Sequence, residues 1–571
     1  MSHPGLPASA ELILSPSAAL VSAWARLILP HYGRAGSMDA DLEEFPEAEG
    51  PSYYNQFAHW PLLLLSEGIL GGVPEAEERE LLRACALRNL EYLLRITGSD
   101  FMTPHYSKGR DWGRHVGEWS NYFLLRSLDV LESRRLGSAD LRERLARSLR
   151  GASGRIYADL AKAYGAPNHC CAAFPGNHAV WHALLCYEAG VRFGETAWVA
   201  LAQDFFRRQV LPFQDSTGCW PEGGGMVVNY AMVTAQAVSV YAEAAGDAGA
   251  LAALGRYLPF ARLFSFPDGS SSVAADCRMR YSPRPMVFLP PSFLRTPEGR
   301  AECLRRVSGF ARLLPGTPAG KIGAQGLAFF ALLPAFLAAR RESLPEGLPE
   351  HSLSGIPAAR LEAGPWTAFL SWQLTAETTN RFVLDAQNFV ELHHATSGYL
   401  VGGGNSKYMP RFSTLRRKTS GRPYLPDSAV VLAQTADTAT AAYAFGEDRI
   451  EVRLALAAEH AEIGFRLASC RRPAEQYEGA LMLRLEAGDV VRLDEVETTV
   501  TPTGHIERYF GASGGRLQWR GRTFHLPPGT QVNYPVTPHN PYRQDGLAPV
   551  EEYVARLAVP LSASEQVVRL G

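Results

Sequence analysis

Up to about residue 341 apolar side chains recur every three or four positions, and beyond residue 364 they recur every second one. A 3.6-residue period buries one stripe of a helix, and a two-residue period buries one face of a strand. A chain that switches once between them cannot be built from one kind of layer. Its 571 residues also exceed what a single core usually holds. The pattern predicts a multidomain α and β protein: an N-terminal (α/α) toroid over 1–345, a Pro/Gly-rich linker over 346–364, and a C-terminal antiparallel β-sandwich over 365–571.

The predicted helices include Ser15–Leu29, Glu75–Thr97, Glu118–Arg134, Ser138–Tyr164, Asn177–Phe193, Glu195–Leu211, Tyr230–Ala245 and Ile322–Arg341, with short Gly, Pro, Ser or Asp turns between most of them. Short-looped helices in series form hairpins, which close into a toroid or stack as a solenoid. No strict repeat of roughly 30–50 residues is visible, which disfavours the solenoid. Predicted strands include Trp366–Leu374, Phe382–Leu384, Phe389–His393, Arg449–Ala457 and Ala480–Glu486, with Glu551–Ala563 as a closing strand.

The formal net charge is −2, so no global field gathers a polyanion, and nucleic acid is not an expected partner. Eight cysteines, at 85, 170, 171, 186, 219, 277, 303 and 470, form no CxxC and read as free thiols of a reducing compartment. The N-terminus shows no basic region followed by an apolar one, because Glu11 interrupts it early. A cytoplasmic protein is expected, or a periplasmic or secreted one if a leader has been removed. Two uncharged runs, Gly223–Ala242 and Ile322–Ala339, approach membrane-spanning length but carry Gly, Gln, Asn or Pro, and read as core helices rather than membrane spans. A monomer or a homodimer is expected.

Chemistry-bearing residues concentrate between Pro175 and Tyr230. Pro175-Gly176 precedes Asn177-His178 at the start of one apolar helix, and Trp220-Pro221-Glu222-Gly-Gly-Gly precedes Asn229-Tyr230 at the start of another. Helix starts leave backbone groups unsatisfied and project side chains outward, so an amide, an imidazole and a phenol there suit the rim of a cleft. The blander account makes His178 a surface residue and Tyr230 packing. Three glycines admit a ligand close to the backbone, and Trp220 offers a stacking face to a sugar. His182 lies one turn beyond His178, an HxxxH pair that lacks an evident third ligand. The stretch 98–121 alternates basic and aromatic residues, with Trp112, Arg114, His115 and Trp119 as candidate substrate contacts; an exposed loop with a few packed aromatics has the same composition. After Pro267-Asp268-Gly269 come Arg280 and Arg284, suited to a carboxylate or sulfate, or to a solvated loop. His393-His394 opens the β region, followed by a glycine-rich stretch that also reads as a hairpin. No GxGxxG in a βαβ setting, P-loop or GxSxG is present.

In these features the chain resembles the heparinase II/III-like polysaccharide lyases, with the related alginate and oligoalginate lyases. The family's Asn-His motif resembles Asn177-His178, its glycine-rich turn leading into a catalytic Tyr resembles Glu222–Tyr230, and its Pro-Asp-Gly turn resembles Pro267-Asp268-Gly269. The resemblance implies a toroid followed by a β-sandwich, an acidic poly- or oligosaccharide substrate, no cofactor, and Asn177, His178 and Tyr230 as catalytic residues. The candidate substrate contacts are completed by Trp220, Glu222, Arg280, Arg284, His393 and His394. Family members often carry His-x-His-x-Asp in the sandwich. Here His393-His394-Ala-Thr-Ser lacks that Asp, which weakens a sandwich-bound zinc and leaves a structural zinc or calcium only as an alternative.

The implied reaction is β-elimination beside a uronate carboxylate, leaving a 4,5-unsaturated uronate end. The carboxylate must be neutralised, a base must take the C5 proton, and an acid must protonate the departing O4. Asn177 suits the first task, Tyr230 suits one or both of the others, and His178 serves beside it either as a second base or as a further neutraliser of the carboxylate. Competing readings are a glycoside hydrolase on an α/α toroid, which needs two carboxylates across the bond, and a non-catalytic glycan-binding protein.

Overall fold

The computed structural model describes residues 8–32, 36–37, 57–72, 74–103, 106–107, 110–111, 117–165, 176–222, 225–278, 286–316, 324–340, 347–349, 351–376, 378–385, 387–402, 404–407, 409–418, 425–541, 543 and 545–571. It divides into two compact units. The first comprises 1–222, 230–262 and 285–353; the second comprises 223–229, 263–284 and 354–571. The division differs from a single cut near 345, because two short segments from within the helical half pack with the strands.

The first unit holds the helices α1 (Ala8–Ile28), α2 (His59–Ser66), α3 (Ala76–Ile96), α4 (Gly117–Ser133), α5 (Ala139–Gly165), α6 (Asn177–Phe193), α7 (Thr196–Phe205), α8 (Val228–Ala245), α9 (Ala248–Leu263), α10 (Pro297–Leu313) and α11 (Ala324–Ala339). Two kinds of burial separate them. Outer α5 buries a single stripe of Leu141, Leu145, Leu149, Ala152, Ile156 and Leu160 at helical spacing. Inner α11 is buried all round, from Leu327 through Leu333, which explains its lack of charge. Aromatic side chains from the first two turns of α4 and α6 meet on Phe329 of α11. Trp119 lies 5.8 Å from it, Phe123 5.1 Å and Trp181 5.2 Å, each edge-on, and Gln236 of α8 donates to its carbonyl at 3.0 Å. Inner helices with starts at one level and outer helices returning between them make the α/α toroid.

The predicted helices are present with most ends shifted by one or two residues, while the first begins at Ala8, ahead of the expected Ser15. Asn177–Phe193 matches at both ends, because Gly194 adopts a left-handed φ of 71° and stops the helix. The helix predicted to run to Leu211 loosens at Phe206 into one wider turn, Phe206–Val210. The stretch Glu11–His31 is long and apolar enough to cross a membrane, with a mean hydropathy of 1.7. In this structure its Trp24 packs on Phe310 of α10 and Phe330 of α11.

A two-stranded hairpin, β1 (Tyr106–Ser107) and β2 (Arg110–Asp111), precedes α4. The second unit carries β3 (Ala358–Ala363), β4 (Trp366–Ser371), β5 (Val390–His394), β6 (Gly398–Val401), β7 (Leu415–Arg417), β8 (Ser428–Gln434), β9 (Thr438–Phe445), β10 (Asp448–Leu456), β11 (Ala461–Ser469), β12 (Tyr477–Leu483), β13 (Val490–Leu493), β14 (Val496–Thr499), β15 (Ile506–Tyr509), β16 (Gly515–Trp519), β17 (Arg522–Leu526), β18 (Gln531–Val536), β19 (Val554–Pro560) and β20 (Gln566–Leu570). One sheet runs β14-β13-β16-β17-β20-β11-β10-β9-β8; the other runs β15-β18-β19-β12-β6-β5-β4-β3, with β7 also on β12. Alternation along β10, where Ile450, Val452, Leu454 and Leu456 point inward, fills the layer between the sheets.

Two expectations about this unit fail. The segment 346–364 is not all linker, since β3 occupies 358–363 and pairs along its length with β4, Leu361 opposite Ala368. Phe382–Leu384 is not a strand but a turn whose Leu384 N–H reaches the Cys277 carbonyl at 2.8 Å.

Candidate active site

Helix α6 begins without a cap from its own neighbourhood, as Gly176 has no side chain to offer. Glu222 supplies the missing acceptor from 45 residues away: its Oε2 takes the Asn177 backbone N–H at 3.3 Å and the Asn177 side-chain Nδ2 at 2.6 Å. An anion at a helix N-terminus is favourable, so one carboxylate fixes both the helix start and the amide. Asn177 is 1% exposed.

One residue on, the ring of His178 is held from two sides. Its Nδ1 lies 2.6 Å from Oε1 of Glu118, and its plane stacks on Trp119, centroids 4.6 Å apart at 26°. The other carboxylate oxygen of Glu118 lies 3.1 Å from His182 Nε2. Residues i and i+4 share a helix face, so both imidazoles of α6 converge on one carboxylate of α4. Glu118 is sealed from solvent, whereas 32% of the His178 side chain is exposed. Burial alone would raise the Glu118 carboxyl, but His182 and then His178 hold it down to about 2, so it stays ionised.

Tyr230 is half-buried in the first turn of α8. Its level relative to α6 is fixed by Trp181, whose indole N–H donates to the Val233 carbonyl at 3.2 Å across 52 residues. His178 and Tyr230 each precede that bonded pair by three residues, about 4.5 Å of helix rise. Further along, Tyr187 meets Tyr241 edge-on at 5.2 Å, so α6 and α8 run side by side in the same direction. Asn177, His178 and Tyr230 therefore stand at the same end of neighbouring helices.

Trp220 is not a stacking platform. It is 1% exposed, packs against Tyr257 at 5.5 Å, and its indole N–H bonds the Val210 carbonyl at 2.9 Å. A ring so enclosed has no face to give a sugar. Trp119 is also mostly buried, between His178 and Phe329. Trp112, Arg114, His115, Arg280, Arg284, Cys170 and Cys171 lie outside the described residues.

In the second unit His393 is buried on β5, with Nε2 3.3 Å from Asp268 Oδ2 and its ring over Phe266 at 5.3 Å. Asp268 also accepts the Ser270 N–H and hydroxyl, in a turn where Gly269 has φ 86°. Burial raises the Asp268 carboxyl, but His393 and Ser270 bring it down to about 2. Glu391, two residues before His393 and on the same face of β5, accepts the Tyr399 hydroxyl at 2.6 Å, the Val273 and Ala274 N–H groups, and the Ser272 hydroxyl. Burial nevertheless pushes its carboxyl up to about 7.

His394 points to the opposite face and is not a substrate contact. Its Nδ1 receives the Thr396 N–H at 3.2 Å, and its ring sits edge-on to Trp366 at 4.5 Å, so it ties the β5–β6 turn. Burial, with Arg522 and then His393 nearby, lowers its pKa. Among the described residues no three His, Cys, Asp or Glu side chains gather as a metal site.

Glu118 belongs to the 98–121 stretch and was available to a hydrolase, but nothing in the sequence paired it with His178. It lies 60 residues from His178, and the HxxxH pair was the one signal that a shared partner existed.

No protein-family model matches the chain, and no curated protein does. Solved structures do. A xanthan lyase from Paenibacillus aligns over 98% of this chain and 57% of its own at 9% identity, with a TM-score of 0.50. A chondroitinase AC lyase aligns over 98% and 82% at 12% identity, TM-score 0.45, and a heparinase III over 96% and 83% at 10% identity, TM-score 0.43. What the xanthan lyase likeness establishes is the fold: a helical toroid followed by an antiparallel β-sandwich.

Proposed function

We propose that this chain is a polysaccharide lyase that cleaves a uronic-acid-containing glycan by β-elimination and leaves a 4,5-unsaturated uronate end. The observation that carries the reading is that His178, whose side chain is 32% exposed, and Tyr230 stand at one level on neighbouring helices, with Asn177 next to His178 in the chain.

In this reading the uronate carboxylate is neutralised at the start of α6, which the buried amide of Asn177, anchored on Glu222, holds in place, and charge is drawn away from C5. A base takes the C5 proton, the C5–H electrons become the C4–C5 double bond, and the C4–O4 bond breaks. Tyr230 gives its phenolic proton to O4 and regains one before the next turnover. A hydrolase would need two carboxylates facing the scissile bond. Glu118 is sealed between two imidazoles and Glu222 is bound to a helix start, so neither is placed for that role.

The test is a panel of uronate polysaccharides and oligosaccharides followed in the ultraviolet. The C4–C5 double bond conjugated to the carboxylate absorbs, whereas hydrolysis products do not. Growth of that absorbance supports the lyase. New reducing ends without it make the protein a hydrolase, and binding without product makes it a glycan-binding protein.

A further inference from the structure

We infer that Glu118 is the positioning residue of this site: it fixes which nitrogen of His178 faces the sugar and thereby makes His178 the base that removes the C5 proton. The inference rests on the lyase reading above and assigns within it a step that reading leaves open.

A neutral imidazole has one N–H and one lone-pair nitrogen, and its partner decides which is which. At 2.6 Å from Nδ1 stands a carboxylate held ionised, which accepts hydrogen bonds and donates none. The proton of His178 therefore sits on Nδ1 and the lone pair on Nε2. The carboxylate also favours the cation that forms once Nε2 has taken a proton. Stacking on Trp119 fixes the ring plane, which the hydrogen bond alone leaves free to rock. His182 Nε2 lies 3.1 Å from the second oxygen, on the side of Glu118 away from His178 Nδ1. The balance is closed: the C5 proton goes to Nε2, its electron pair to the C4–C5 bond, the C4–O4 pair to O4, and the Tyr230 proton to O4.

A buried carboxylate between two histidines could also serve only to hold α4 against α6, so the experiment separates those roles. The parent, Glu118→Gln, His178→Ala and the double variant are compared for kcat and KM on a uronide the parent cleaves. We expect E118Q to lower kcat by about 10²–10⁴ with KM changed less than about threefold, the scale seen when a base loses its orienting carboxylate. In the His178→Ala background the same substitution has no further effect beyond about twofold, because Glu118 acts through a ring no longer present. If E118Q does not fold, Glu118→Asp carries the same cycle, since it keeps the charge and withdraws it by one methylene. Parent-like kcat in the Glu118 variant, or losses that multiply in the double variant, overturns the inference. A parent that forms no unsaturated product from any uronide overturns the lyase reading itself, and this inference with it.

Discussion

Glu222 binds Asn177 twice, through the backbone N–H and the side-chain amide, and so closes the start of α6 with a carboxylate brought from the approach to α8. Helix start and candidate amide depend on the same group. Glu222→Ala is expected to cost about 0.5–2 kcal/mol of stability, the range for a lost N-cap, with a fall in kcat as the amide loses its anchor. Urea unfolding with parallel rate measurements checks this. An unchanged midpoint would show the contact to be idle.

Tyr230→Phe removes one oxygen and leaves the ring to pack. Loss of acid or base help is expected to lower kcat by at least about 10² with the helical fold intact by circular dichroism. Turnover close to the parent's would remove Tyr230 from the chemistry.

Trp220 has changed role from sugar platform to core. Trp220→Ala is expected to destabilise by about 3–5 kcal/mol, the usual range for deleting a large buried aromatic. Trp220→Phe is expected to keep KM for the glycan within about twofold, because no face of the ring meets the substrate. A large rise in KM for the folded Phe variant would contradict the burial described.

Glu391 gives the fold a pH dependence of definite sign. Its carboxyl ordinarily titrates at about 4.5 and in the folded chain at about 7. Between those values the folded chain keeps a proton that the unfolded chain has released. Stability therefore falls as pH rises through that window, by at most about 1.4 kcal/mol per pH unit, and levels off above it. The unfolding free-energy difference between the parent and Glu391→Gln should slope between pH 5 and 7 and level off above about pH 8. A difference constant throughout would place the Glu391 pKa near its ordinary value.

Much of this was legible in the sequence, and for identifiable reasons. Asn177–Phe193 could be read to its last residue because an apolar stripe ends at Gly194, and β10 because its alternation is unbroken. β3 was hidden by its surroundings: Gly355, Pro357 and Gly364 bracket it and imitate a linker. Trp220 misled because glycines follow it, and local composition does not report whether a ring faces water. The pairing of Glu118 with His178 and of Asp268 with His393 could not be read locally: the HxxxH spacing points to a shared partner without naming it, and each pair joins residues that only folding brings together.

The loop that meets Glu391 comes from 263–284, a segment lying between helices in the chain yet packed with the strands. A gene fragment starting at residue 354 would thus encode every strand from β3 onward while omitting three of the four groups that satisfy a sealed carboxyl. Such a fragment is not an autonomous module. Recombination that exchanged the sandwich for a relative's would have to carry two short interior pieces with it, and this ties the inheritance of the two halves together more tightly than their separate layers suggest.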